Sequence, residues 1–394
     1  MISIFYITQM NFRSGRAHVY NIVKTCEVLA GMSEAKMILV SCDNSLKNDE
    51  EKNIFFKKHN IKNEFEIISL NSWSNYFRNS SLRIINWLKI IFVNFSLIKF
   101  LFQKRKEIEV IYFRDHLLFL SIIFGKYFLS KPVVYENHYV LRRKHGQFLT
   151  NLLVKISNGI VAISHQLKKY YQKLNKNIIV CFCGAAEPQK FDYSKDKLLL
   201  KKELNLPLNK FIIGYVGNLG LTGNYDTYQI DKIIRALEYL PSNVIFLGIG
   251  DKDGDSKLFS DLSIKLGLSE RTIFLPWQKR TKIPKYLLSI DILVLPRRPI
   301  DRSGDSPIKM FEYLAARRPI IAANSPAIKE VMTDGVNSLI VKSDKPKEWA
   351  EAVKRIMADK ALSERISNQS FEDSKKYTWQ KRGEAIYSFI DSIV

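Results

Sequence analysis

Residues 306–341 read SPIKMFEYLAARRPIIAANSPAIKEVMTDGVNSLIV, a helix start, a buried strand and a second helix in close succession. Ser306 and Pro307 have the chemistry of an N-cap followed by a first-turn proline. A helix begun this way aims unpaired backbone N–H groups at one point, and its dipole favours an anion there. Glu312 follows about two turns further on, and an acid beyond a phosphate-holding helix start is what ribose hydroxyls need. The stretch therefore predicts a site for a nucleotide diphosphate, with a nucleotide-sugar as the leading candidate.

The same rhythm extends in both directions. Phe211–Gly217, Val244–Gly250, Ile273–Trp277, Ile292–Arg297, Pro319–Asn324 and Ser338–Val341 are apolar, strand-like runs separated by helical pattern. An earlier series covers Ile2–Thr8, Lys36–Ser41, Phe65–Leu70, Val110–Arg114, Pro132–Asn137, Gly159–Ser164 and Ile178–Cys183. Alternating strands and helices favour parallel α/β sheets. A length of 394 residues suits two domains, and a 46% hydrophobic fraction fills two cores. Two successive doubly wound units, joined near Glu187–Lys195, are the simplest account.

The net charge of +22 is unevenly spread. Residues 1–190 hold 28 Lys and Arg against 13 acids, and the remainder holds 33 against 26. A basic first half implies an anionic partner: a membrane surface, a pyrophosphate-bearing acceptor or nucleic acid; the bland alternative is a Lys-rich genome. Nucleic acid is the weakest of these, because no aromatic–basic interleaved motif is present. Leu82–Gln103 is very apolar and is followed by Lys104, Arg105 and Lys106. Its internal Lys89, Asn94 and Lys99 argue against a spanning helix, and leave an interfacial helix or a core helix. His116–Ser130 is too short to span and reads as a buried helix. Cys26, Cys42, Cys181 and Cys183 make no metal array; Cys181 and Cys183 are expected as buried thiols in a strand. With no signal peptide, the cytoplasm is the expected compartment, with a peripheral position at the inner face of the membrane as its refinement.

The ordered runs FIIGYVGNLG, FLGIGD, IFLPWQKRTKIPKYLLSIDILVLPR and SPIKMFEYLAARRPIIA resemble the retaining, nucleotide-sugar-dependent glycosyltransferases of the GT-B fold, the glycosyltransferase group 1 family. SGRAHVYNIV, VVYENH and VAISHQLKKYY match more loosely, and YTWQKRGEAIYSFI resembles the family's closing helix. The resemblance implies two Rossmann-like doubly wound α/β domains facing across a cleft. Residues 1–188 would bind the acceptor, residues 189–372 the nucleotide-sugar, and the helix of residues 373–394 would cross back to the first domain. It implies no metal and no cofactor, the nucleotide-sugar being a substrate.

By the same resemblance, Glu312 holds the ribose hydroxyls. The family's other acid would fall at Gly304, which is not an acid; the neighbouring Asp305 is the candidate replacement, and backbone N–H groups from Gly304 to Ile308 are the alternative. The family's diphosphate-binding Arg and Lys follow the glycine matched by Gly217, yet this chain has Asn218 and Thr222. Arg297, Arg298, Arg302 and Lys309 are candidates for the missing charge, which a departing diphosphate needs. Ser306, Pro307, Ile308 and Lys309 form the donor-binding helix start. Gly15 matches the N-terminal loop that approaches the donor phosphate or the acceptor, with Arg16 and His18 beside it. His138 matches a histidine near the donor sugar, and Glu136 is its orienting partner or a buried structural acid. Trp277 stacks on the base or packs locally. Asp251, Asp253 and Asp255 superficially resemble a metal loop but lack the rest of the pattern.

The expected activity is transfer of a sugar from a nucleotide-sugar to a saccharide or lipid-linked acceptor, with retention, in surface polysaccharide or glycan biosynthesis. The stereochemistry comes from the resemblance alone. The alternatives are a nucleotide-sugar epimerase or hydrolase on the same fold, and a non-catalytic binding protein.

Overall fold

The computed structural model describes the chain except residues 13–16, 44–45, 71–82, 142, 221–227, 253, 299–305 and 343, with backbone only for Ala17 and residues 83–86. It divides into two compact units, one of Met1–Cys183, Arg302–Ser306 and Trp379–Val394, the other of Gly184–Asp301 and Pro307–Thr378.

The first unit is built on a seven-stranded sheet of β1 (Ile2–Thr8), β2 (Ala35–Ser41), β3 (Glu66–Ser69), β4 (Val110–Phe113), β5 (Val133–Asn137), β6 (Gly159–Ala162) and β7 (Ile178–Val180). Its order is β3-β2-β1-β4-β5-β6-β7, and every pairing is parallel. Helices cover both faces, so its strands are apolar almost throughout. Alternation along β1 sends Phe5 and Ile7 to one core with Leu97 and Leu101, and Ile4 and Tyr6 to the other with Val19, Ile22 and Ile386. The last helix, Trp379–Asp391, lies in this unit against the Ala17–Ala30 helix. A Cβ on Gly383 would meet Val28 Cγ1 at 2.3 Å, so the contact needs that glycine.

The second unit has a six-stranded sheet of β8 (Phe211–Val216), β9 (Val244–Asp251), β10 (Thr272–Pro276), β11 (Ile292–Leu295), β12 (Ile320–Ala323) and β13 (Leu339–Val341). Its order, β10-β9-β8-β11-β12-β13, is again parallel. In both sheets the order reverses beside the first strand, between β1 and β4 and between β8 and β11. A crevice outside the strand ends forms at such a reversal.

Three expectations are corrected. Cys181 and Cys183 are buried but lie beyond β7. Side chains hold that backbone: Arg382 takes the carbonyls of Cys181 and Phe182, each at 2.7 Å. The His116–Ser130 segment is not one buried helix. It is a 3₁₀ turn (His116–Leu118), an α turn (Phe119–Ile123) and a π turn (Phe124–Phe128), with Leu120, Tyr127 and Phe128 exposed. Finally, Ser306 is not the N-cap of the Ile308–Ala315 helix. Pro307 occupies that position and no side chain caps it, while Ser306 Oγ accepts the Cys183 N–H at 3.0 Å. No helix among the described residues is long and apolar enough to cross a membrane.

Candidate functional site

In the second unit, the strand ends at the reversal gather charge. Gly217 follows β8, Arg297 and Arg298 follow β11, and the Ile308–Ala315 helix begins nearby in sequence. Lys309, in the first turn of that helix, reaches back to β8. Its ammonium hydrogen-bonds the Tyr215 hydroxyl and lies 4.0 Å from the Tyr215 ring centre and 4.3 Å from that of Tyr228. The Arg297 guanidinium is 5.8 Å from the Tyr228 ring. Burial pushes the Lys309 pKa well below that of an ordinary lysine, Arg297 adds to the fall, and Glu312 opposes it. The Lys309 amine thus lies over two aromatic faces.

Two glycines make room for this packing. A Cβ on Gly217 would sit 2.1 Å from Lys309 Nζ. Gly250, at φ +125°, would place a Cβ 2.1 Å from the Gly217 carbonyl oxygen. Asn218 is exposed and makes a local bond, its Oδ1 accepting the Gly220 N–H at 3.0 Å. Glu312 lies two-thirds along the same helix as Lys309 and is paired with Arg280. Trp277 follows β10, 60% exposed, with its N–H on the Asp251 carbonyl at 2.9 Å. Asp251 Oδ1 accepts the Ser256 N–H at 2.8 Å, a local loop bond. No group of three or more potential metal ligands occurs among the described residues.

In the first unit, His138 directly follows β5. Its Nε2 is 2.6 Å from Glu136 Oε1, which also takes Arg382 Nη2 at 3.1 Å. The hydroxyls of Tyr6 and Tyr112 donate to the other Glu136 oxygen. Burial alone would raise the Glu136 pKa, but Arg382, His138 and Arg114 outweigh it and hold the group well below the usual carboxylate range. Burial and Arg114 push His138 down to about 4, despite Glu136. A neutral His138 beside an ionised Glu136 must carry its proton on Nε2. Its Nδ1 is therefore an acceptor, 3.8 Å from the Cys183 thiol, which burial raises to about 11. At the end of β4, Asp115 accepts from Thr8 Oγ1 and from the Gln9 N–H, both at 2.8 Å. Arg114 Nη1 is buried and lacks a hydrogen-bond partner among the described residues.

Of the residues singled out in the sequence, Lys309, Gly217, Asn218 and Arg297 come together, Arg298 adjoins them in sequence, and Glu312 stands on the same helix. His138 and Glu136 form a separate cluster. Gly15, Arg16, Arg302, Gly304 and Asp305 lie outside the described residues. Tyr215, Tyr228, Arg280, Arg114 and Arg382 were not singled out. Arg382 alone left a plain signal: it falls on the apolar stripe Trp379–Gly383–Ile386–Phe389–Ile390 of the closing helix, where a cation needs a buried partner.

Residues 196–373 match the family model described as glycosyl transferases group 1. Among curated relatives, the D-inositol 3-phosphate glycosyltransferase of Mycobacteroides abscessus is 23% identical over 196 residues, 49% of this chain and 42% of that protein. An uncharacterized glycosyltransferase of Methanocaldococcus jannaschii is 26% identical over 236 residues, 56% of each. The matches thus span about half the length of these relatives. Among solved structures, Anabaena HepE in complex with UDP aligns over 100% of both chains with a TM-score of 0.77 at 16% identity. The sucrose-phosphate synthase of Thermosynechococcus elongatus aligns over 100% of this chain and 99% of its own, with a TM-score of 0.76 at 14% identity. Residues 196–373 thus resemble the glycosyl transferases group 1 family, and the two parallel-sheet α/β units share the fold of the GT-B glycosyltransferase structures.

Proposed function

We propose that the protein transfers a sugar from a nucleotide-sugar, with a uridine diphosphate donor as the first choice, to a saccharide or lipid-linked saccharide acceptor. The observation that carries this reading is the assembly of Lys309 with Tyr215 and Tyr228, and of Arg297 with Tyr228, at the strand reversal of the second sheet, beside a helix start that no side chain caps. It supplies the cationic charge that Asn218 and Thr222 lack. In the proposed roles, Lys309, Arg297, Arg298 and the N–H groups of Ile308 and Lys309 receive the diphosphate. Glu312 takes the ribose hydroxyls, and Trp277 stacks on the base. The complexes of HepE with UDP and with UDP-glucose support the choice of donor.

His138 would accept a hydrogen bond from the sugar through Nδ1 once the ring is released from Cys183. Retention follows from a front-face displacement: the C1–O bond to the departing diphosphate breaks as the acceptor oxygen bonds C1 from the same face, and the acceptor proton passes to the leaving phosphate. The protein then contributes positioning and charge stabilisation, and no metal or cofactor enters. Asp305 is the acid proposed in place of Gly304. A lipid-linked acceptor would hold the enzyme at the anionic cytoplasmic face of a membrane, in the synthesis of a surface glycan.

The test is a panel of nucleotide-sugars, each with and without candidate acceptors. The expected result is release of free nucleotide that depends on acceptor and falls about a hundredfold in Glu312→Ala. Equal turnover by that variant would remove Glu312 from the site, and release independent of acceptor would make the protein a hydrolase.

A further inference from the structure

The Arg83–Gln103 helix is apolar on its outer face as well as on the face that buries Val93, Leu97, Phe100 and Leu101 in the core. Its polar Asn94 is fully buried, donating to the carbonyls of Ile90 and Leu117 at 2.8 and 2.9 Å and accepting from the Ser121 N–H and hydroxyl. Its large apolar side chains Trp87, Leu88, Ile91, Phe92, Phe95 and Phe102 are exposed, Phe95 by 66%. The 116–128 segment that packs on this helix adds Tyr127 and Phe128, the latter 76% exposed. Scattered apolar residues on a surface are ordinary; a contiguous run of aromatic ones is not.

Charge identifies the occupant. Residues 83–186 carry 17 Lys and Arg against four acids, and one of the four, Glu136, is buried within the first unit. Lys99, Arg105 and Lys106 are exposed on or just beyond the same helix, and Arg105 lies 4.4 Å over the Phe102 ring. A second protein copy would bring the same positive charge and be repelled. Next to the helix, a cavity of about 380 Å³ is lined by Trp87, Ile90, Leu117 and Leu149, with Arg143 and His145 among its lining. Apolar space beside a guanidinium matches a lipid chain with an anionic headgroup.

We propose that the Arg83–Gln103 helix and the adjoining 119–128 turn form a docking face for an anionic lipid bilayer. The helix lies in the plane of the interface with its aromatic side chains below the headgroups. Lys99, Arg105 and Lys106 meet the lipid phosphates. The inference builds on the lipid-linked acceptor of the preceding section, and gives the acceptor's membrane a defined place on the first unit.

Sedimentation with vesicles tests it. The wild-type protein should pellet with phosphatidylcholine–phosphatidylglycerol vesicles, weakly with phosphatidylcholine alone, and less at high salt. Phe92→Ser with Phe95→Ser should weaken anionic-vesicle binding about tenfold or more, because both rings leave the interface. Lys99→Glu with Lys106→Glu should weaken it while leaving residual binding to neutral vesicles unchanged. All four side chains are exposed, so unchanged thermal melts and unchanged UDP-induced stabilisation establish that the variants fold. Overturning results are a wild type that stays in the supernatant, variants that pellet as the wild type does, or a vesicle-free dimer that the Phe92/Phe95 pair abolishes. UDP stabilisation in the same samples separates this inference from the donor reading: loss of vesicle binding with UDP binding intact overturns only the membrane face, and the converse overturns only the donor site.

Discussion

Lys309 is a cation stored in an unfavourable place. Its ammonium has a hydroxyl and two ring faces for company, and burial favours the neutral amine. A diphosphate arriving at the helix start reverses that preference, since an adjacent anion raises a lysine pKa. Two outcomes are expected. Nucleotide diphosphate binding takes up a fraction of a proton, visible as a dependence of calorimetric heat on buffer ionisation enthalpy at pH 8.5, and the affinity falls as pH rises further. In Lys309→Met the unliganded protein melts no lower than the wild type, because the buried amine is gone, while UDP binding weakens by about tenfold or more. A variant with lowered melting temperature and unchanged UDP affinity would make Lys309 a packing residue. The neighbouring Glu312 differs in kind: it is partly exposed and already paired with Arg280, so its loss should leave stability within about 0.5 kcal/mol and act on binding.

At the scale of elements, the ends of β8 and β9 are held close by Gly217 and Gly250, and the amine of Lys309 fills the space that results. Gly250→Ala should cost about 1–3 kcal/mol in a denaturant melt, because its Cβ meets the Gly217 carbonyl and its φ is positive. Gly217→Ala should also lower stability, since φ there is +153°, and should lose UDP binding as well, since its Cβ collides with the end of the Lys309 side chain. β8 and β9 were readable in the sequence as apolar runs, each observed within a residue of its expected bounds, because strands buried on both faces leave an uninterrupted apolar signature. The helix between residues 83 and 103 was readable as well. Its orientation was not, because a helical wheel cannot tell which of two apolar arcs meets a sheet; the buried Asn94 decides that only once Leu117 and Ser121 are placed against it. Ser306 misled for a local reason. The Ser-Pro pair looks like a cap in isolation, but the helix begins one residue later and the hydroxyl is drawn to Cys183, 123 residues earlier. The Lys309–Tyr215 contact joins residues 94 apart, and no spacing rule in one sequence reports it.

For the molecule as a whole, the Glu136–His138–Arg382 cluster makes the fold sensitive to acid. It ties β5 to the closing helix 246 residues away, and both of its titrating members act in one direction. His138 is depressed from 6.5 to about 4, so between those values the unfolded chain binds a proton that the folded chain does not. Its stability contribution is present above pH 6.5 and is lost progressively as pH falls toward 4. Glu136, also depressed, adds a loss that begins near the ordinary carboxylate pKa and continues below it. The histidine alone corresponds to about 2 kcal/mol between pH 6.5 and pH 5. A chain with a net charge of +22 also suffers self-repulsion as acids protonate, and that effect has the same sign. Salt separates the two, since it screens surface repulsion and leaves a buried titration nearly untouched. Urea melts at pH 7.5, 6.5 and 5 in low and high salt should therefore show a loss on acidification that high salt only partly removes. In His138→Asn the remaining loss between pH 6.5 and pH 5 should shrink toward zero, whereas a wild-type midpoint that stays constant over that window in high salt would show that His138 titrates in the folded protein as it does in a free chain.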